Sequence, residues 1–177
     1  MDWTTIGAEL TAAVDAATLA LLDDPGSGDL YAIALSVAED GMGIGLCWTT
    51  ETHFRAHLAS ESQHETLSDD DAAYYRWAPA EWSHETWRDD LFAGINATVS
   101  AKAPDDGLSR RDFKRLIDVM IEALAALREA QSPALANTTL FVTVTDSEDS
   151  QSIENRSAAK LNPRALHQAF AARYGAG

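Results

Sequence analysis

Five histidines, one cysteine and several clustered carboxylates are the groups in this chain from which a reaction or a metal site could be built. His53 and His57 stand four residues apart, a spacing that sets two imidazoles on one helical face and recurs in metal sites. Two ligands fall short of what zinc requires. HETLS and HETWR each supply a His-Glu pair, but neither has a second histidine four residues after the first, so the zinc-protease motif is absent. Asp146, Glu148 and Ser150 match the first, third and fifth positions of a calcium-binding EF-hand loop. The match then fails, because Gln151 stands where the turn needs glycine and Ser157 where a bidentate glutamate should sit. Cys47, in the apolar run IGLCW, reads as a buried thiol; a lone cysteine excludes a disulfide scaffold and fits a reducing compartment. There is no phosphate-cradling glycine loop, no GxSxG elbow and no CxxC. The expectation is no metal, no cofactor and no catalytic residue.

The densest concentration of recognition-type side chains is YRWAPAEW, residues 75 to 82. Tryptophan, tyrosine and arginine are the residues that dominate binding hot spots, and a pocket drawing on Tyr75, Arg76, Trp77, Glu81 and Trp82, with Asp146 and Arg156, is one reading. Packing is the other, and it leads. Ala78 precedes proline and is pushed to extended geometry, and Pro79 is preset for a first helical position. The segment therefore predicts a corner from strand to helix, with Tyr75 and Trp77 on one face, Arg76 on the other and Glu81 near a helix N-terminus.

Charge narrows the partners. Residues 1–106 hold 20 acids against 4 bases, net −16, whereas 107–177 hold 8 against 9, net +1. Such a field repels phosphate backbones, so nucleic acid is not expected as a partner, while a basic protein is favoured. MDWTTIGAEL has neither a basic segment nor an uninterrupted apolar core, and no apolar run approaches the roughly 18 residues of a membrane span. No membrane association and a cytoplasmic location are the expectations.

The elements that must position these residues follow from periodicity. Ile6, Leu10, Val14, Ala17 and Leu21 mark an amphipathic helix over about 5–22, ended by DDPGSGD. LYAIALSV and IGLCWTT, joined by EDGMG, read as a hairpin. Thr50 caps a short helix carrying Phe54 and Leu58, residues 60–72 read as a polar loop, and AYYRW reads as extended. Trp87, Leu91, Ile95 and Val99 predict a helix from about 83 to 102. Ser109 with Asp112 forms a variant capping box at the head of a long helix to about 130, striped by Phe113, Leu116, Ile117, Met120, Ile121, Leu124 and Leu127. TTLFVTVT is the strongest strand signal, and two helices follow, the second opened by Pro163. This order predicts one α+β domain over 1–177, loose at 1–4 and 174–177. Its sheet is mostly antiparallel, of about three to four strands, with about five to six helices packed on one face.

Three blocks, YRWAPAEW at 75–82, VTVTDSED at 142–149 and RSAAKLNP at 156–163, resemble in order and separation a bacterial family of small acidic cytosolic proteins whose domain has no known function. The resemblance spans about residues 5–173 and implies one compact domain; it carries no mechanism. From the residues themselves, the leading expectation is a protein-binding domain without catalysis, of an immunity-type or regulatory kind, acting on a basic partner. The alternative is a small-molecule binder or hydrolase with a pocket around Arg76, Glu81 and Asp146, reached also by Trp77 and Arg156.

Overall fold

The computed structural model describes residues 1–64, 66–104 and 107–174. Its first element, α1 (Trp3–Leu22), begins two residues earlier than periodicity indicates. Asp2 caps it, its carboxylate accepting from the Thr4 and Thr5 amides at 3.2 Å and from the Thr5 hydroxyl at 2.7 Å. By length and composition α1 is apolar enough to cross a membrane, contrary to expectation. In the fold, its Ile6, Leu10, Val14, Ala17 and Leu21 stripe is buried in the core. The last residues expected to be loose, 175–177, lie outside the described residues.

The hairpin forms as predicted: β1 (Leu30–Ala38) pairs antiparallel with β2 (Gly45–Thr50). Its turn needs Gly41 at φ 84°, a left-handed conformation that a side chain resists. After β2 come α2 (Glu51–Glu61), α3 (Asp69–Trp77), a single 3-10 turn at Pro79–Glu81 and β3 (His84–Trp87). Then follow α4 (Asp89–Ser100), α5 (Arg110–Ala130), β4 (Thr139–Thr145), α6 (Ser150–Leu161) and α7 (Arg164–Ala171). The α+β class holds, with seven α-helices and four strands among the described residues.

The sheet is mostly antiparallel, as expected, with one parallel pairing, and the placement of helices on one face is corrected. Its order is β3-β2-β1-β4, and β4 runs parallel to β1, so the sheet is mixed although two of its three pairings are antiparallel. Helices also cover both faces. Ile33, Leu35, Leu46, Trp48, Leu140 and Val142 face α1, α4 and α5. Ala32, Ala34, Cys47 and Phe141 face a second, aromatic cluster with Trp77, Trp82 and Phe170. A bulge where β1 passes from Leu30 to Ala32 brings Tyr31 into this second cluster instead of the first, as bulges re-aim side chains.

The largest local correction falls on 68–87. AYYRW is not extended; it is the end of α3, which Ser68 and Asp71 start with a reciprocal capping box. The helix expected from 83 is the strand β3 up to Trp87, and α4 starts only at Asp89. YRWAPAEW is therefore a corner from helix to strand. Ala78 is extended as a residue before proline should be, but Pro79 opens a 3-10 turn instead of an α-helix.

Candidate functional site

Within this corner the backbone carbonyl of Arg76 accepts from the Tyr31 hydroxyl at 2.6 Å and from Trp82 Nε1 at 3.1 Å. Both donors are buried aromatic residues, and they fix the end of α3 against the sheet. Trp77 stands edge-on to Tyr31 and Phe170, at 5.7 and 5.0 Å between ring centroids, and Trp82 stands edge-on to Phe141 at 5.7 Å. Burial raises the Tyr31 hydroxyl pKa above its ordinary value, against an opposing pull from the Arg76 charge.

Arg76 turns its guanidinium the other way. It forks onto both oxygens of Glu51 on α2 and lies over the rings of Tyr31 and Phe54, 4.3 and 4.9 Å from their centroids. Glu81 meets α2 as well: its carboxylate is 3.4 Å from His57 Nε2, an ion-pair distance without hydrogen-bond geometry, and accepts from the Tyr74 hydroxyl at 3.3 Å. His53 Nε2 is 3.2 Å from the Glu81 carbonyl, and the His53 and His57 rings stack at 5.9 Å. Tyr75 packs edge-on against His57 at 5.0 Å.

The seven residues singled out in the sequence thus divide. Tyr75, Arg76 and Glu81 tie α3 and the following turn to α2, and Trp82 is core. Arg156 is on a different element, paired with Asp118 of α5 at 3.3 Å. Trp77 and Asp146 do come together: with Pro79, Thr143, Glu148 and Tyr174 they line a cavity of about 570 Å³ at the C-terminal end of β4. Arg76, Glu81 and Arg156 are not among its lining residues. Asp146 holds φ 58°, left-handed for a non-glycine residue, where the chain leaves β4.

The wall of this cavity contains a carboxylate that sequence reasoning missed. Glu154 accepts from the Thr143 hydroxyl at 2.7 Å, the Ser150 hydroxyl at 3.1 Å and Arg173 Nη2 at 2.8 Å. The Arg173 side chain is 1% exposed and lies over the Phe170 ring at 3.9 Å, an ion pair withdrawn from water. A signal was available: Glu154, Ser157, Ala158 and Leu161 are the buried stripe of α6, so an acid occupies an inward-facing position of a short helix. Nothing within the local sequence links Arg76 to Glu51, whose pairing depends on how α2 and α3 pack.

Cys47 is 2% exposed, and burial pushes its thiol up to about 11, which leaves almost no thiolate at neutral pH. Among the described residues no group of three or more His, Cys, Asp or Glu side chains is placed to hold a metal ion. The geometry brings together an aromatic cluster, a hydroxyl-rich cleft and many exposed carboxylates.

No curated protein and no solved structure matches the chain. A family model does match, over residues 10–163, a span that contains all three sequence blocks. The chain belongs to the family described as Domain of unknown function (DUF4303).

Proposed function

We propose that the protein is a binding domain for a basic protein partner, of a regulatory or immunity-type kind, and acts without chemistry of its own. The observation that carries this reading is the separation of charge, net −16 over residues 1–106 against +1 over the rest. Support comes from how little of that charge is neutralised internally. In this part of the chain the ion pairs among the described residues involve only Glu51, Glu81 and Asp90. Asp69, Asp70 and Asp71 on α3, with Glu85 and Asp89, are exposed. Fields of this kind steer oppositely charged partners and weaken with salt. The test is binding to a panel of basic and acidic proteins at low and high ionic strength. Selective, salt-sensitive capture of basic proteins, reduced in an Asp69→Asn/Asp70→Asn variant, is the expected result; equal indifference to both sets would end the proposal.

A second reading, a small-molecule binder or hydrolase, is favoured by one observation: Trp77 and Asp146, from two separate sequence blocks, line the same cavity at the end of β4. Thermal shift and Trp fluorescence against a metabolite and divalent-metal library test it. A stabilising hit that Asp146→Asn abolishes would support it, and a blank screen would not.

A further inference from the structure

The sheet treats its two edges differently. At β4 the outer backbone groups are occupied by side chains of α6. The Asn162 carboxamide, just past its end, accepts from the Leu140 amide at 2.8 Å and donates to the Leu140 carbonyl at 2.7 Å. Ser157 Oγ accepts from the Val142 amide at 2.9 Å and lies 3.4 Å from its carbonyl. This edge is closed. At the other end, β3 bonds to β2 and takes the Cys47 thiol on its Glu85 carbonyl, and among the described residues no other element hydrogen-bonds to its backbone. Glu85 and Thr86 in its middle are exposed. An open edge is a template for another strand, and this one, four residues long with a register shift against β2 between Leu46 and Trp48, has room for a short segment only.

We propose that the outer edge of β3 receives an extended, basic segment of the partner protein as a fifth strand. The inference rests on the reading of the partner as basic and adds where and how it docks. Charge selects the occupant. Glu85 stands on the strand, and Asp89 and Asp90 follow it; Arg88 is the one base between residues 83 and 90, and Asp90 already binds its Nε and Nη2 at 2.8 Å. At the start of β3 a cavity of about 620 Å³ is lined by Asp24, Asp29, Trp48, Ser83 and His84. A lysine or arginine from the added strand meets the Asp24 and Asp29 carboxylates there, the surroundings that favour a cation. Main-chain pairing supplies the affinity in such strand addition, and alternate side chains supply the specificity. A second copy of this chain is the disfavoured occupant, since it would set Glu85 against an equally acidic edge on a molecule of net charge −15.

The experiment uses the full chain and a short synthetic peptide alternating lysine with valine. Its controls are the same peptide with alternate backbone nitrogens methylated and one with glutamate replacing lysine. Binding is followed by amide shifts and hydrogen exchange in NMR. The parent peptide should bind and protect amides within residues 84–87. Methylation should weaken it by at least about tenfold, because a methylated nitrogen can no longer donate a main-chain hydrogen bond to β3. The acidic peptide should not bind. Glu85→Lys should abolish binding while leaving thermal unfolding unchanged. If the parent and methylated peptides bind equally, or if the shifts fall on α3, the edge is not the site, although the basic-partner reading survives. If no basic peptide or protein binds at low salt, both readings fall. Concentration-dependent dimers removed by Glu85→Lys would assign the edge to a second copy and overturn the proposal.

Discussion

Arg76 holds Glu51 with a planar fork while its flat face rests on Tyr31 and Phe54, so its role depends on shape as much as on charge. Lysine keeps the charge and loses both features. Arg76→Lys should lower unfolding stability by about 1–2 kcal/mol, read from urea denaturation, on the scale of a partly desolvated cation–π contact plus a bidentate pair. Cys47 gives a sharper expectation. With its thiol pushed up to about 11 in a buried site, it should resist alkylation in the native protein near neutral pH and react fully once the chain is unfolded. The character of Cys47 was readable from its apolar neighbours, because burial of a small side chain follows from local pattern. The partner of Arg76 was not, since twenty-five positions separate it from Glu51 and only tertiary packing brings them together.

At the scale of elements, α3 shows how a legible signal can be overridden by composition. Ser68 and Asp71 have the same relation as Ser109 and Asp112, which do cap α5, and the first pair lay hidden in an acidic run that resembled loop. Three aspartates in a first turn favour a helix start, because they face its positive end. Hydrogen bonds from the Ser68 side chain and backbone hold the Asp71 carboxyl below its ordinary value of 3.8. A depressed carboxyl stabilises the fold above that ordinary value and ceases to do so as pH falls through the lower folded one. Helical ¹³Cα shifts across 69–77 should therefore decline on acidification below about pH 3.8, and Asp71→Asn should remove the step. The sheet edges permit a further prediction. Asn162→Ala strips the Leu140 amide and carbonyl and one bond to Arg128, and should cost about 2–3 kcal/mol in denaturation experiments while promoting aggregation. Strands β1, β2 and β4 were legible from alternation and branched residues. The four-residue β3 was not, since its Trp87 also fits the helical spacing of Leu91, Ile95 and Val99, and only its pairing with β2 makes it a strand.

For the molecule as a whole, the division of charge along the chain is not a division of the fold. β4, from the near-neutral part, lies beside β1 from the acidic part, and α5 packs against α1 across the same core. The Glu154–Arg173 pair ties the turn after α7 to α6 and, through Thr143, to β4. Removing one member of a buried pair leaves the other uncompensated, so Arg173→Ala should destabilise by about 3–5 kcal/mol in thermal or urea unfolding. The mixed sheet escaped sequence reading because a parallel partner for β1 had to be sought a hundred residues away, where no local pattern points. That separation also bears on synthesis. The hairpin of β1 and β2 can form as soon as it leaves the ribosome, yet Leu140 and its neighbours arrive only after α5 is complete, and α6, which shields them, later still. Contacts so distant in sequence close slowly. Through that interval the nascent hairpin carries a bare inner strand, and the net −16 of the emerging residues 1–106 keeps neighbouring chains on the same polysome apart until β4 is made.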